Sequence, residues 1–151
     1  MSRIRIVVAD QAEAIFYDLS SLKAHPVEVA RLADPAAHLH DRDFSSDQPG
    51  RSYESFGKAR HAMEGENDPR QREAVKFAKE IAGKLDLDRR NKEYEQLIVV
   101  AGAPFRSLLR DELSAGTSAC VVHEVPKDLV HSPVEVLREH LPTTAQELKS
   151  A

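Results

Sequence analysis

The sequence predicts an α/β domain built on a mixed sheet with helices packed on it. Three observations carry this. The chain opens with three short strand-like runs separated by turn signals, the pattern of an antiparallel meander. A strongly amphipathic helical segment follows at residue 69. Two continuous apolar runs, Leu97–Gly102 and Cys120–Val125, then alternate with helical segments, which favours parallel strands joined by crossovers.

The elements follow in order. Ile4, Ile6 and Val8 alternate with Arg3, Arg5 and Val7, so the first run is a strand that becomes wholly apolar toward Val8. Asp10 to Glu13 is a turn. Ala14–Leu19 is β-prone through Ile15, Phe16 and Tyr17, and Ser20 to Pro26 breaks it. Val27–Asp34 alternates again at Val27, Val29 and, less cleanly, Leu32.

From His40 to Gly65 neither a helical nor a strand period fits. Structureless loops beyond roughly 12–15 residues are uncommon inside compact domains and are usually functional or disordered. This segment is therefore the first place to look for function.

Asp68 then offers a cap, Pro69 suits the first helical position, and Gln71 falls at the capping-box position. Ala74, Phe77, Ala78, Ile81, Ala82 and Leu85 share one stripe at helical spacing, opposite Arg72, Lys76, Lys79 and Glu80. The helix is expected to end near Leu87, before a charged connector. Leu97–Gly102 reads as a central strand buried on both faces. Pro104 opens a short helix with Phe105, Leu108, Leu109 and Leu113 inward. Cys120–Val125 reads as a second buried strand, with Cys120 as a small buried hydrophobe. Ser132 to Glu135 forms another capping box, with Pro133 at the first helical position. That helix stops before Pro142. Residues 1–141 are expected to form one domain and 142–151 a flexible tail. No internal repeat is present.

Composition narrows the classes. A chain of 151 residues buries roughly 68–70% of its unfolded surface, enough for a core without staples. That core is mainly aliphatic, because the sequence has no Trp, three Tyr and five Phe. The net charge is −4, from 21 Lys plus Arg and 25 Asp plus Glu, which argues against coating nucleic acid by bulk charge. It leaves room for a local basic patch. One cysteine forms no intrachain disulfide. No run approaches the ~20 apolar residues of a membrane span, and the first strand is too short for a secretory signal. A cytoplasmic, soluble protein is the expectation.

Several candidate chemistries compete. In the loop, Arg51, Lys58, Arg60 and His61 are placed to touch phosphates, with Tyr53 and Phe56 available to stack on bases. A solvated loop without a ligand is the alternative. His38, His40, Asp41, Asp43 and Asp47 are crowded, but they lack the rigid spacing of a zinc site. Asp10 ends the first strand and Asp128 follows the last, which admits metal-dependent phosphoryl chemistry. The competing role for Asp10 is a turn residue accepting backbone N–H bonds. Gly102-Ala103-Pro104 lacks the glycine spacing of a nucleotide loop and serves as a strand-to-helix turn. Lys127, Asp128 and His131 solvate the corner after the final strand. There is no nucleophile-elbow motif for serine catalysis.

The wording of the chain is distinctive. A strand ending in VAD is followed by DRDFSSDQPGRSYES, GKARHAME, DPRQREAVKFAKEIAGKL, LIVVAGAPFRSLLRDEL and VPKDLVHSP. Over residues 4–141 this order resembles the bacterial host-attachment family, described as proteins required for attachment to host cells. That family is in turn similar to bacterial relatives of the archaeo-eukaryotic release factors (baeRF domains), through the release-factor middle domain. The resemblance implies an RNase H-like mixed sheet, with three antiparallel strands followed by parallel strands. It also implies that Ser55–Met63 stands where release factors carry a Gly-Gly-Gln loop that promotes peptidyl-tRNA hydrolysis. Only Gly57 remains here, between Phe56 and Lys58, and the tip has no glutamine.

The expectation is an intracellular, codon-independent factor whose partner is the ribosome or tRNA. No membrane partner, cofactor or metal is expected. Arg51, Ser55, Gly57, Lys58, Arg60 and His61 form the candidate RNA-binding loop. A non-enzymatic attachment or interaction protein and a metal-dependent hydrolase using Asp10 are the alternatives. Whether the chain is an enzyme stays open at this point, as does its oligomeric state.

Overall fold

In a computed structural model, residues 3–34 and 69–148 are described. The opening apolar run forms β1 (Ile4–Ala9), in which all six residues are buried. An Asp10 turn leads into β2 (Glu13–Leu19), and β3 (Val27–Ala33) completes the meander. Helix α1 (Pro69–Arg90) precedes β4 (Gln96–Ala101), then α2 (Ala103–Glu112) and a short α3 (Ala115–Cys120). Strand β5 (Val121–Val125), α4 (Val134–His140) and a 3-10 turn at Ala145–Glu147 end the described chain.

Among the described residues the sheet order is β3-β2-β1-β4-β5. The pairings β1–β2 and β2–β3 are antiparallel, whereas β1–β4 and β4–β5 are parallel. The α/β class and the mixed sheet read from the sequence therefore hold.

Period-two alternation sends the sheet's side chains to two separate cores. Val7, Ala9, Phe16, Leu97 and Val99 pack against the α1 stripe and α2. The six α1 positions expected inward are the six that are buried: Ala74, Phe77, Ala78, Ile81, Ala82 and Leu85. Ile4, Ile6, Val8, Ile15, Leu19, Ile98 and Val100 face the other way, against Leu129, Val130, Leu137 and Leu141. Helices thus cover both faces.

One buried cation lies inside this frame among the described residues. Arg5 is only 3% exposed. Its Nε donates to Asp18 Oδ1 at 2.6 Å and its Nη1 to Asp88 Oδ2 at 2.8 Å. The guanidinium also sits 5.4 Å from the ring centre of Tyr94. Burial works to lower the Arg5 pKa, but the bonds to Asp18 and Asp88 outweigh it and raise it. The Tyr94 hydroxyl donates to the Leu85 carbonyl at 2.7 Å, and burial pushes its pKa up to about 12.

Several expectations are corrected. Helix α1 runs three residues past Leu87, to Arg90. Its end is closed by Lys92 N–H to Arg89 O and Glu93 N–H to Asp88 O, with Lys92 in the left-handed region at φ 61°. Cys120 does not open a buried strand; it ends α3 and is partly exposed. Strand β5 pairs only with β4 among the described residues, so only Val125 is buried. The Ser132 capping box does not form. Pro133 has ψ 155°, outside helical geometry, and is itself the cap residue of α4, while Ser132 N–H closes a turn onto Leu129 O. In β3 the alternation has the reverse sense to a buried valine face: Val27 and Val29 are exposed, while Ala30 and Leu32 touch the core. Leu108 and Leu113 of the α2 region are only partly buried beside Phe105 and Leu109. No described helix is long and apolar enough to cross a membrane.

Candidate functional site

The parallel pairing of β1 with β4 brings Ala9 opposite Ala101, so both strands end at the same level. The chain leaves them on different errands: β1 turns back at Asp10 into the meander, and β4 enters α2 at Gly102. In open α/β sheets, ligands bind beyond the carboxyl ends of strands where connections diverge in this way. A cleft of about 630 Å³ lies there, lined by Asp10, Gln11, Ala12, Gln71, Ala74, Gly102, Pro104, Phe105, Leu108, Asp128 and His131.

Each wall has a local cause. Asp10 Oδ1 accepts from the Ala12 and Glu13 N–H groups, both at 2.8 Å, and Asp10 N–H donates to Glu13 O at 2.9 Å. The carboxylate thus fixes the β1–β2 turn, the role set above against metal chemistry. Its second oxygen faces His131, with Oδ2 3.9 Å from Nε2, and Glu13 Oε1 lies 3.8 Å from His131 Nδ1. These are electrostatic contacts, available when the 76% exposed imidazole is protonated. Gly102 is the cap residue of α2 and no side chain caps that helix. A Cβ at Gly102 would meet Asp128 Cβ at 3.8 Å, an ordinary contact, so the close neighbour there is Asp128 itself. Phe105 and Leu108 supply the apolar floor.

The cleft therefore joins carboxylates and an imidazole on one side to a helix N-terminus on the other. Among the described residues no group of three His, Cys, Asp or Glu side chains is arranged to hold a metal ion. Asp10, with one oxygen committed to its turn, contributes at most a single free oxygen.

The sequence-predicted loop residues Arg51, Ser55, Gly57, Lys58, Arg60 and His61 lie outside the described residues, as do His38, His40, Asp41, Asp43 and Asp47. The described residues beside that segment border the cleft. Asp34 N–H donates to Ala12 O at 2.8 Å, and Gln71 in the first turn of α1 lines the cleft with Ala12. The sequence places His131 at a solvated corner, and Asp128 either there or, with Asp10, as a carboxylate after a strand. The structure brings both to Asp10, because β1, β4 and β5 are parallel neighbours. The position of Asp10 and Asp128 after strands is the signal for that pair; nothing in the sequence points to His131 beside them.

Fold and cleft together define an α/β domain with a polar site at the carboxyl edge of its parallel strands. The family model described as "protein required for attachment to host cells" matches residues 5–141. The chain belongs to that family. No curated protein matches it.

Proposed function

We propose that this member of the attachment family is an intracellular, codon-independent factor associated with the ribosome or with RNA. Arg51, Ser55, Gly57, Lys58, Arg60 and His61 are its RNA-contacting residues. The observation that carries the reading is positional: the basic loop segment directly precedes α1, and the first turn of α1 reaches the cleft through Gln71. Further support comes from the three-strand meander continued by two parallel strands, the arrangement an RNase H-like relative of the release-factor middle domain would have. The glycine-poor tip, with Gly57 alone and no glutamine, favours contact over release-factor-style hydrolysis.

Co-sedimentation of the tagged full chain with ribosomes tests this. The protein is expected in the ribosomal fraction, released by salt and by replacement of Arg51, Arg60 and His61 together. Recovery only in the free pool, during both growth and translational stalling, sinks the reading.

The family description favours a second reading, a non-enzymatic protein that acts in attachment itself. Protease shaving of intact cells separates the two. Cleavage of the protein from the cell surface supports direct attachment, and complete protection counts against it.

A further inference from the structure

The partly buried carboxylates of this fold are not equally served by cations. Asp86, Asp88 and Glu124 are between 14% and 25% exposed, and each holds at least one arginine or lysine in an ion pair. Asp10 and Glu13 lie as deep, at 22% and 23%. Among the described residues neither has a lysine or arginine within ion-pair distance, and both face only the exposed imidazole of His131. Asp128, which lines the same cleft, stands in no ion pair among the described residues. No lysine or arginine lines the cleft. The nearest arginine of α2, Arg106, is engaged by Glu124 Oε1 at 2.5 Å. Withdrawing a carboxylate from water without a counter-charge costs free energy, so the cleft is a place where a cation is missing.

We infer that the cleft binds a small organic amine, its ammonium toward the Asp10 and Asp128 carboxylates and its apolar body against Pro104, Phe105 and Leu108. The lining selects this chemistry over its competitors. An ammonium offers three donors and no acceptor. Asp10 Oδ2, left over from the turn that occupies Oδ1, is one acceptor for it, and the Asp128 carboxylate is another. A bare metal ion is less suited, because no group of three ligating side chains is arranged for one among the described residues. A phosphate is less suited too. At the N-terminus of α2 Pro104 has no N–H to give, and a Cβ at Gly102 would already touch Asp128 Cβ at 3.8 Å, so an anion there meets a carboxylate. The apolar wall gives the ligand a body as well as a charge. At about 630 Å³ the cleft is within the range of roughly 300–1,000 Å³ that small-molecule sites occupy. None of the loop residues enters this inference, so it stands or falls apart from ribosome association.

The test is a titration of the nitrogen-15-labelled full chain with phenethylamine at neutral pH, read from amide chemical shifts. Two probes of the same skeleton serve as controls: 2-phenylethanol, which lacks the charge, and 3-phenylpropionate, which reverses it. Phenethylamine is expected to move the amide signals of Ala12, Gly102 and Phe105 and to saturate with a Kd on the order of 1 mM, the scale of so small a ligand. The alcohol should bind about tenfold more weakly, the difference a charged hydrogen bond makes, and the carboxylate more weakly still. D10N/D128N should bring the amine down to the alcohol's affinity. Its turn is kept, because the amide oxygen that D10N supplies still accepts the Ala12 and Glu13 N–H bonds. H131K sets a fixed ammonium in front of Asp10 Oδ2 and should weaken the amine by about tenfold, whereas H131Q should not. An amine that binds no tighter than the alcohol, or that moves only signals away from the cleft, overturns the inference. So does an affinity unchanged in D10N/D128N or, should that variant melt early, in H131K.

Discussion

Lys92 is the residue at which backbone geometry and side-chain chemistry disagree. It takes the left-handed conformation that closes α1, at φ 61°, where glycine is the usual occupant. A side chain with a Cβ loses roughly 1 kcal/mol or more there, and glycine loses less, set against its greater freedom in the unfolded chain. Lys92→Gly is therefore expected to stabilise the protein by about 0.5 kcal/mol, read as a small rise in the melting temperature. A lower melting temperature would show that the Lys92 side chain contributes more than its backbone strain costs. This position was invisible in the sequence for the same reason. The signal for a helix end is a glycine, and a lysine gives none, so α1 was expected to stop three residues early. Asp10 was legible, because an aspartate directly after a strand has a short list of roles and accepting turn N–H bonds is the commonest.

At the scale of elements, α1 and α3 are joined by one carboxylate. Asp86 Oδ1 accepts from Arg89 at 2.8 Å and from the Ser114 hydroxyl at 3.0 Å, while Ser114 Oγ also caps α3 by accepting from Thr117 N–H at 3.1 Å. The bond to Arg89, then that to Ser114, holds the Asp86 pKa below 3.8. A carboxylate depressed in the folded state gives stability that is present above its unfolded pKa and lost as pH falls through its folded pKa. Ser114→Ala removes the α3 cap, at a cost of about 1 kcal/mol, and also one of the hydrogen bonds to Asp86. Urea unfolding from pH 7 to pH 2.5 should show the gap between wild type and variant narrowing below pH 3.8. A gap independent of pH would mean that the cap alone matters. Gly116 leaves room for Arg89 at this junction: a Cβ there would lie 2.7 Å from the Arg89 guanidinium carbon, and the arginine would have to move aside. The difference in legibility between the two helices is physical. Helix α1 spans 22 residues with one sustained apolar stripe. Helix α3 is AGTSAC, six small residues without a period; its helicity comes from the Ser114 cap and the neighbouring α1, neither of which a local pattern records.

For the whole molecule, two cores share one sheet, and neither face of the sheet is stable in water without its cover. Phe77, 1% exposed, anchors one core, and Leu137, 2% exposed, anchors the other. Phe77→Ala is expected to cost about 3–5 kcal/mol and Leu137→Ala about 2–5 kcal/mol. Both should shift a single cooperative transition, as domains of this size usually show. Two separate transitions by calorimetry would show that the faces melt independently. The mixed sheet was readable because strand-like runs and helical stripes alternate in a restricted set of ways. The cleft was not, because it exists only once β1, β4 and β5 lie side by side, and no sequence period encodes which strands become neighbours. Arg5 bears on that neighbourhood. The guanidinium lies on the α1 side of β1, where Asp18, Asp88 and Tyr94 receive it. Sliding β1 by one residue would turn every side chain to the opposite face. Arg5 would then meet Ile98, Val100 and Leu137, an aliphatic wall without a carboxylate, and an unpaired buried charge costs several kcal/mol. Apolar residues alone, with Ile, Val and Ala filling both faces of the strand, would tolerate that slip. A single cation gives the strand a parity, and so proofreads the alignment on which the carboxyl edge, with Asp10 at its rim, depends.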